Sequence, residues 1–123
     1  MSKKIIFTEK APAAIGPYSQ AVLSNGTLYV SGQVAIALAE AGASIEDETR
    51  QVMENLKAIL GAAEMTFENV VKCSIFVKDM NNFGKINEVY GSYFSVNPPA
   101  RETVEVARLP KDVNVEISCI AVL

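Results

Sequence analysis

The chain contains no histidine. Ser-His-Asp and Cys-His catalysis are therefore excluded, as are metal sites built on imidazole. Acid–base work falls to carboxylates, tyrosine, lysine or ordered water. Two groups of residues have types suited to it. The first surrounds Asn25-Gly26, a pair that favours a two-residue hairpin turn because both positions tolerate positive φ. With these two in the turn, Ser24 faces Thr27, Val22 faces Tyr29 and Gln20 faces Ser31. Pairing extended one step further sets Tyr18 against Gln33. Side chains two apart share a face, so Tyr18, Gln20, Ser31 and Gln33 form one polar, uncharged cluster. The polar side of a two-stranded ribbon is usually only a solvated surface, so the pattern alone leaves both roles open.

The second group lies near the C-terminus. Residues 101–107 and 113–122 read as two strands flanking a turn at Leu109-Pro110-Lys111-Asp112. Setting Glu105 opposite Glu116 collects Val104, Val106, Val113, Val115, Ile117 and Cys119 on one face. Arg101, Thr103, Glu105, Glu116 and Ser118 then share the other. Arg101 and Glu116 would stand about 14 Å apart between backbones, a gap that their side chains narrow to the size of a small organic acid. Solvated charges on an exposed strand are the competing explanation.

The elements that must position these groups follow from periodicity. Residues 3–7, 19–24 and 27–31 read as strands. Residues 44–64 read as a helix whose apolar stripe is Val52, Met53, Leu56, Ile59, Leu60 and Ala63, with Ser44 and Asp47 placed as a cap. Residues 70–78 alternate, with Val71, Cys73, Ile75 and Val77 on one face. A second helix spans about 82–95, with Phe83, Ile86, Val89, Tyr90, Tyr93 and Phe94 as its stripe. The order β-β-β-α-β-α-β-β makes an α+β domain over residues 1–123, a mixed sheet with two helices packed on one face. Area scaling puts about two-thirds of the unfolded surface out of water, enough for a core without disulfide or metal staples.

Cys73 and Cys119 sit in apolar alternating runs, where a buried free thiol is the common state. Eleven basic residues against 14 acidic ones, with no basic stripe, carry no footprint for nucleic acid. Lys3 and Lys4 precede too short an apolar run for a signal peptide. Residues 11–39 carry no charge until Glu40, but Pro12, Gly16, Pro17, Gly26 and Gly32 interrupt them, which argues against a membrane span. A cytoplasmic protein is the expectation.

Residues 97–122, N-P-P-A-R-E-T-V-E-V-A-R-L-P-K-D-V-N-V-E-I-S-C-I-A-V, closely resemble the C-terminal signature of the RidA/YjgF family of reactive enamine/imine deaminases. A-P-A-A-I-G-P-Y-S-Q-A-V (11–22), V-S-G-Q (30–33), T-R-Q-V-M-E-N-L-K-A-I-L (49–60) and V-K-C-S-I-F-V-K-D (71–79) resemble the family in order and spacing. The resemblance implies a chorismate-mutase-like fold and a homotrimer with one site at each subunit interface. It implies hydrolysis of reactive enamines and imines such as 2-aminoacrylate and 2-iminobutanoate to 2-keto acids and ammonia, with no cofactor and no metal. It assigns substrate-carboxylate binding to Arg101 and orientation of the attacking water to Glu116. Tyr18, Ser31, Gly32 and Thr103 match pocket positions, and Asn87 matches an asparagine that is structural first and pocket-lining second. Thr103 stands where some members have cysteine. Residues 35–44 are alanine-rich where many members carry Pro, Asn, Lys and Thr, and Glu102 replaces a common Ser; by parity it points away from Arg101. The same residues would serve a trimeric receptor for 2-keto acids without turnover. A ribonuclease or translation inhibitor is a third reading, which the net charge of −3 opposes.

Overall fold

The computed structural model describes residues 2–123. Nine principal elements follow one another: β1 Lys4–Ile6, β2 Ala21–Ser24, β3 Thr27–Gln33, α1 Ile36–Glu40, α2 Ile45–Ala62, β4 Val70–Val77, α3 Phe83–Gly91, β5 Ala100–Glu105 and β6 Val115–Val122. The strands form one sheet in the order β1-β2-β3-β6-β4-β5. Only β4 and β5 run parallel, and α3 provides the crossover that parallel neighbours require.

Local chemistry accounts for most elements. Asn25 (φ 51°) and Gly26 (φ 77°) take the left-handed conformations of the turn, and β2 pairs with β3 in the expected register. Ser44 Oγ accepts the Asp47 N–H at 3.1 Å and opens α2, and Val52, Met53, Leu56, Ile59 and Leu60 are fully buried between helix and sheet. Burial of that stripe, more than intrinsic propensity, holds the helix in place.

Glu48, in the first turn of α2, is fully buried. Its two carboxylate oxygens accept from the Asn114 backbone N–H and Nδ2, each at 2.8 Å. This ties the helix to the chain just before β6. Glu48→Ala strands both donors, and unfolding in urea should show a loss of about 3 kcal/mol at unchanged slope.

Five expectations are corrected. The last two strands are not neighbours, because β4 lies between them. Every second residue of β6 is buried, and a strand of that pattern belongs in the middle of a sheet, whereas β5, exposed along nearly its whole length, belongs at an edge. The second correction follows from the same register. Cys73 pairs with both Arg101 and Cys119, which places Arg101, Thr103 and Glu105 on the helix-covered face. Glu116 pairs with Phe76, itself opposite Val104, so Glu116 and Val104 lie on the open face. Third, a bulge between Val70 and Lys72 buries Val70 and turns Val71 out, 46% exposed. Fourth, part of the alanine-rich segment is helical: α1 is a single short turn with no buried residue. The second helix also ends early, at Gly91, after which Tyr93 and Phe94 close on Phe67 with ring centroids 5.3 and 5.2 Å away. Glu102 does point away from Arg101, toward Lys72 and Ser74.

The uncovered face of the sheet retains apolar side chains in solvent, among them Ile5, Tyr29 and Val104. Among the described residues, no helix is long and apolar enough to cross a membrane.

Candidate active site

Two constellations emerge, one on each face of the sheet. The first is a cleft of about 710 Å³ lined by Tyr18, Gln20, Ser31, Gly32, Gln33 and Glu116, among others. Gln20 builds its roof. The buried amide accepts the Thr8 N–H at 2.8 Å and donates to the carbonyls of Thr8, Ala11 and Pro12 at 3.1, 3.4 and 2.8 Å. These bonds hold the strandless segment after β1 against the hairpin and fix the approach to Tyr18. Ser31 continues the hairpin: its N–H donates to the Gln20 carbonyl at 2.9 Å and its Oγ to the Ser19 carbonyl at 2.6 Å.

The floor depends on an irregularity in β3. Its register against β6 shifts between Val30 and Gln33, which gives Ser31 and Gly32 an extra residue's worth of strand. Gln33 is thereby turned inward, 6% exposed, although it still lines the cleft. Gly32 leaves open the space that the Glu116 side chain occupies. A Cβ built on Gly32 would lie 2.8 Å from Glu116 Cδ and collide with its carboxylate. Glu116 is half-buried, and desolvation pushes its carboxyl above the usual carboxylate range. A carboxyl so placed can hold or surrender a proton nearer neutral pH than an exposed one.

The second constellation stands on α3 and β5. The Arg101 guanidinium lies over the rings of Phe83 and Tyr90, 5.5 and 5.1 Å from their centroids, and its Nη1 donates to Asn87 Oδ1 at 2.5 Å. Among the described residues no carboxylate pairs with it. Two aromatic faces and an amide hold a planar cation in one orientation, with donors left over for an anion. Thr103 Oγ1 lies buried without a hydrogen-bond partner. Beneath the arginine, Cys73 is buried and its thiol is pushed up by desolvation, a packing role rather than a nucleophile's.

Tyr18, Ser31, Gly32 and Glu116 thus come together, and so do Arg101, Asn87 and Thr103, but the two sets do not meet within one chain. Two strand spacings and three residues separate Arg101 from Glu116, about 14 Å between backbones, with side chains on opposite faces. Phe83 and Tyr90 are functional neighbours that periodicity reads only as helix stripe. Their spacing around Asn87 on one helical surface is the signal that could have found them.

The family model described as Endoribonuclease L-PSP matches residues 8–123. The chain belongs to the RidA/YjgF family. A RutC family protein of Pyrococcus horikoshii is 51% identical over 122 residues, covering 97% of each chain. A rat 2-iminobutanoate/2-iminopropanoate deaminase is 48% identical, over 98% of this chain and 90% of the relative. The crystal structure of Escherichia coli TdcF with bound serine superposes with a TM-score of 0.91 at 43% identity, covering 98% of both chains. The mixed six-stranded sheet with helices on one face is the RidA/YjgF fold, shared with TdcF.

Proposed function

We propose that the protein is a cofactor-independent deaminase of reactive enamines and imines, and that it works as a homotrimer whose sites form between copies. One observation carries the reading: a preorganised, unpaired Arg101 and a desolvated Glu116 occupy opposite faces of one chain. A second copy can bring its arginine edge to the first copy's cleft. The apolar side chains on the open face supply surface for that association. The naming of the mammalian relatives and the serine held by TdcF both favour a small amino-acid-derived substrate.

In this scheme Arg101 holds the substrate carboxylate, flanked by Asn87 and Thr103. An enamine tautomerises to the imine, whose C=N carbon is already electrophilic. Glu116 takes a proton from water as the oxygen attacks that carbon and returns it to the nitrogen, giving a tetrahedral carbinolamine. Glu116 then carries the hydroxyl proton to the amino group as the C–O bond becomes a carbonyl; the C–N bond breaks, ammonia leaves and the 2-keto acid remains. Positioned proton transfer is worth about 10²–10⁴-fold, and correct placement of the water adds to it.

The experiment is subunit mixing. Arg101→Ala and Glu116→Gln should each be inactive alone in releasing ammonia from 2-iminobutanoate. Unfolded together and refolded, they should regain about a quarter of the wild-type sites, those that combine one intact arginine with one intact glutamate. Mixtures as inactive as the parents would place both groups in one chain's site and sink the interfacial reading. A wild-type trimer with no acceleration would turn the assignment to a carboxylate receptor. Ribonuclease activity has little support here: the cleft carries two carboxylates, Glu40 and Glu116, against one lysine, which repels phosphate.

A further inference from the structure

The link between β5 and β6 contains two consecutive non-glycine residues in the left-handed region, Lys111 (φ 55°, ψ 23°) and Asp112 (φ 55°). A side chain with a Cβ occupies that region at a cost, and the conformation persists only where the surroundings over-determine it. Here they do. Pro110 presets the backbone on one side. Arg108 grips Asp112 through two parallel bonds, Nε to Oδ1 at 2.7 Å and Nη2 to Oδ2 at 3.1 Å. Glu48 holds Asn114 two residues on.

What this strained turn delivers is a wall of the Glu116 cleft, since Pro110 and Lys111 both line it. Lys111 is the one cation among the lining residues, in a cleft that also holds the two carboxylates Glu40 and Glu116. It makes no ion pair with any described residue. A cleft with two carboxylates repels an anion, and the chain's own Arg101 is on the other face of the sheet.

We propose that Lys111 is a further substrate-binding residue, whose ammonium offsets the acidic cleft and draws in the substrate carboxylate, with Arg108 and Asp112 as the pair that positions it. This rests on the imino-acid reading. Arg101 then orients the anion that Lys111 has helped to admit.

The test uses the full-length protein and 2-iminobutanoate generated in place. Lys111→Met should raise KM about tenfold, the loss of one Coulombic contact in a partly screened site, with kcat changed far less. Lys111→Arg should restore KM. Raising salt from about 20 to about 200 mM should lower wild-type kcat/KM more steeply than that of Lys111→Met, a response that a merely structural role would not produce. Asp112→Asn should raise KM in the same direction, and adding it to Lys111→Met should cost nothing more. Lys111→Met with wild-type KM and wild-type salt dependence overturns the proposal. If the wild type accelerates no imine, the deaminase reading fails separately. Calorimetry with 2-oxobutanoate then still decides Lys111: binding about tenfold weaker in Lys111→Met supports it, and equal binding overturns it.

Discussion

Replacing Glu116 by Gln should lower kcat/KM for 2-iminobutanoate by about 10²–10⁴-fold while making the protein harder to unfold. The two effects have one origin. Burial raises the Glu116 pKa in the folded chain above its value in the unfolded chain. For a carboxyl shifted upward, stability falls as pH rises from the unfolded pKa through the folded one, then levels off where both states are ionised. At neutral pH the wild type therefore bears the cost of a desolvated anion, and the isosteric amide removes it. Thermal unfolding at pH 7 should show a higher midpoint for Glu116→Gln, and the difference should vanish in acid, where the carboxyl is protonated in both states. The same shift sets the acid limb of wild-type activity. Since the ionised form accepts the water proton, kcat/KM should decline on acidification through a pKa above the usual carboxylate range. A variant that stays active, or an acid limb in the ordinary range, would remove Glu116 from the proton-transfer role.

The second large effect is expected at Gly32. Its φ is not positive, so nothing in the backbone demands glycine; the demand comes from space. A methyl group there would stand 2.8 Å from Glu116 Cδ and 3.0 Å from its Cγ, and the nearest relief is rotation of the glutamate out of position. Gly32→Ala should lower kcat by about 100-fold, because a displaced base loses its alignment with the water. The fold should survive at a cost of about 1–3 kcal/mol, the usual range for overpacking, as read from urea unfolding. The double variant Gly32→Ala with Glu116→Gln should be no slower than Glu116→Gln alone, since both act through one carboxylate. Additive losses would show that Gly32 contributes by another route, such as its own backbone against the substrate.

Much of the framework is legible in the sequence because it depends on neighbours a few residues apart. Asn25-Gly26 dictates the turn and with it the pairing of Val22 with Tyr29. Ser44 and the stripe from Val52 to Leu60 dictate α2. Tyr18, Gln20 and Ser31 could be grouped for the same reason and line one cleft, whereas Gln33 reaches that cleft from the inward position the β3 bulge gives it.

Alternation along a strand reports which residues share a face, but not which strand lies beside it. Residues 101–107 and 113–122 look like a hairpin because they are close in sequence. In the folded chain β4 separates them, since pairing both edges of β6, with β3 and with β4, outweighs the short loop. That non-local choice decides that Arg101 and Glu116 face opposite ways. Single-residue bulges have the same character: at Ser31–Gly32 and after Val70, one extra residue reverses every side chain beyond it, with no mark in composition or period. The sequence by itself determined the elements, the family resemblance and the residue types available for chemistry. Only the tertiary structure decided which faces they occupy, because a face is defined by packing between segments far apart in the chain.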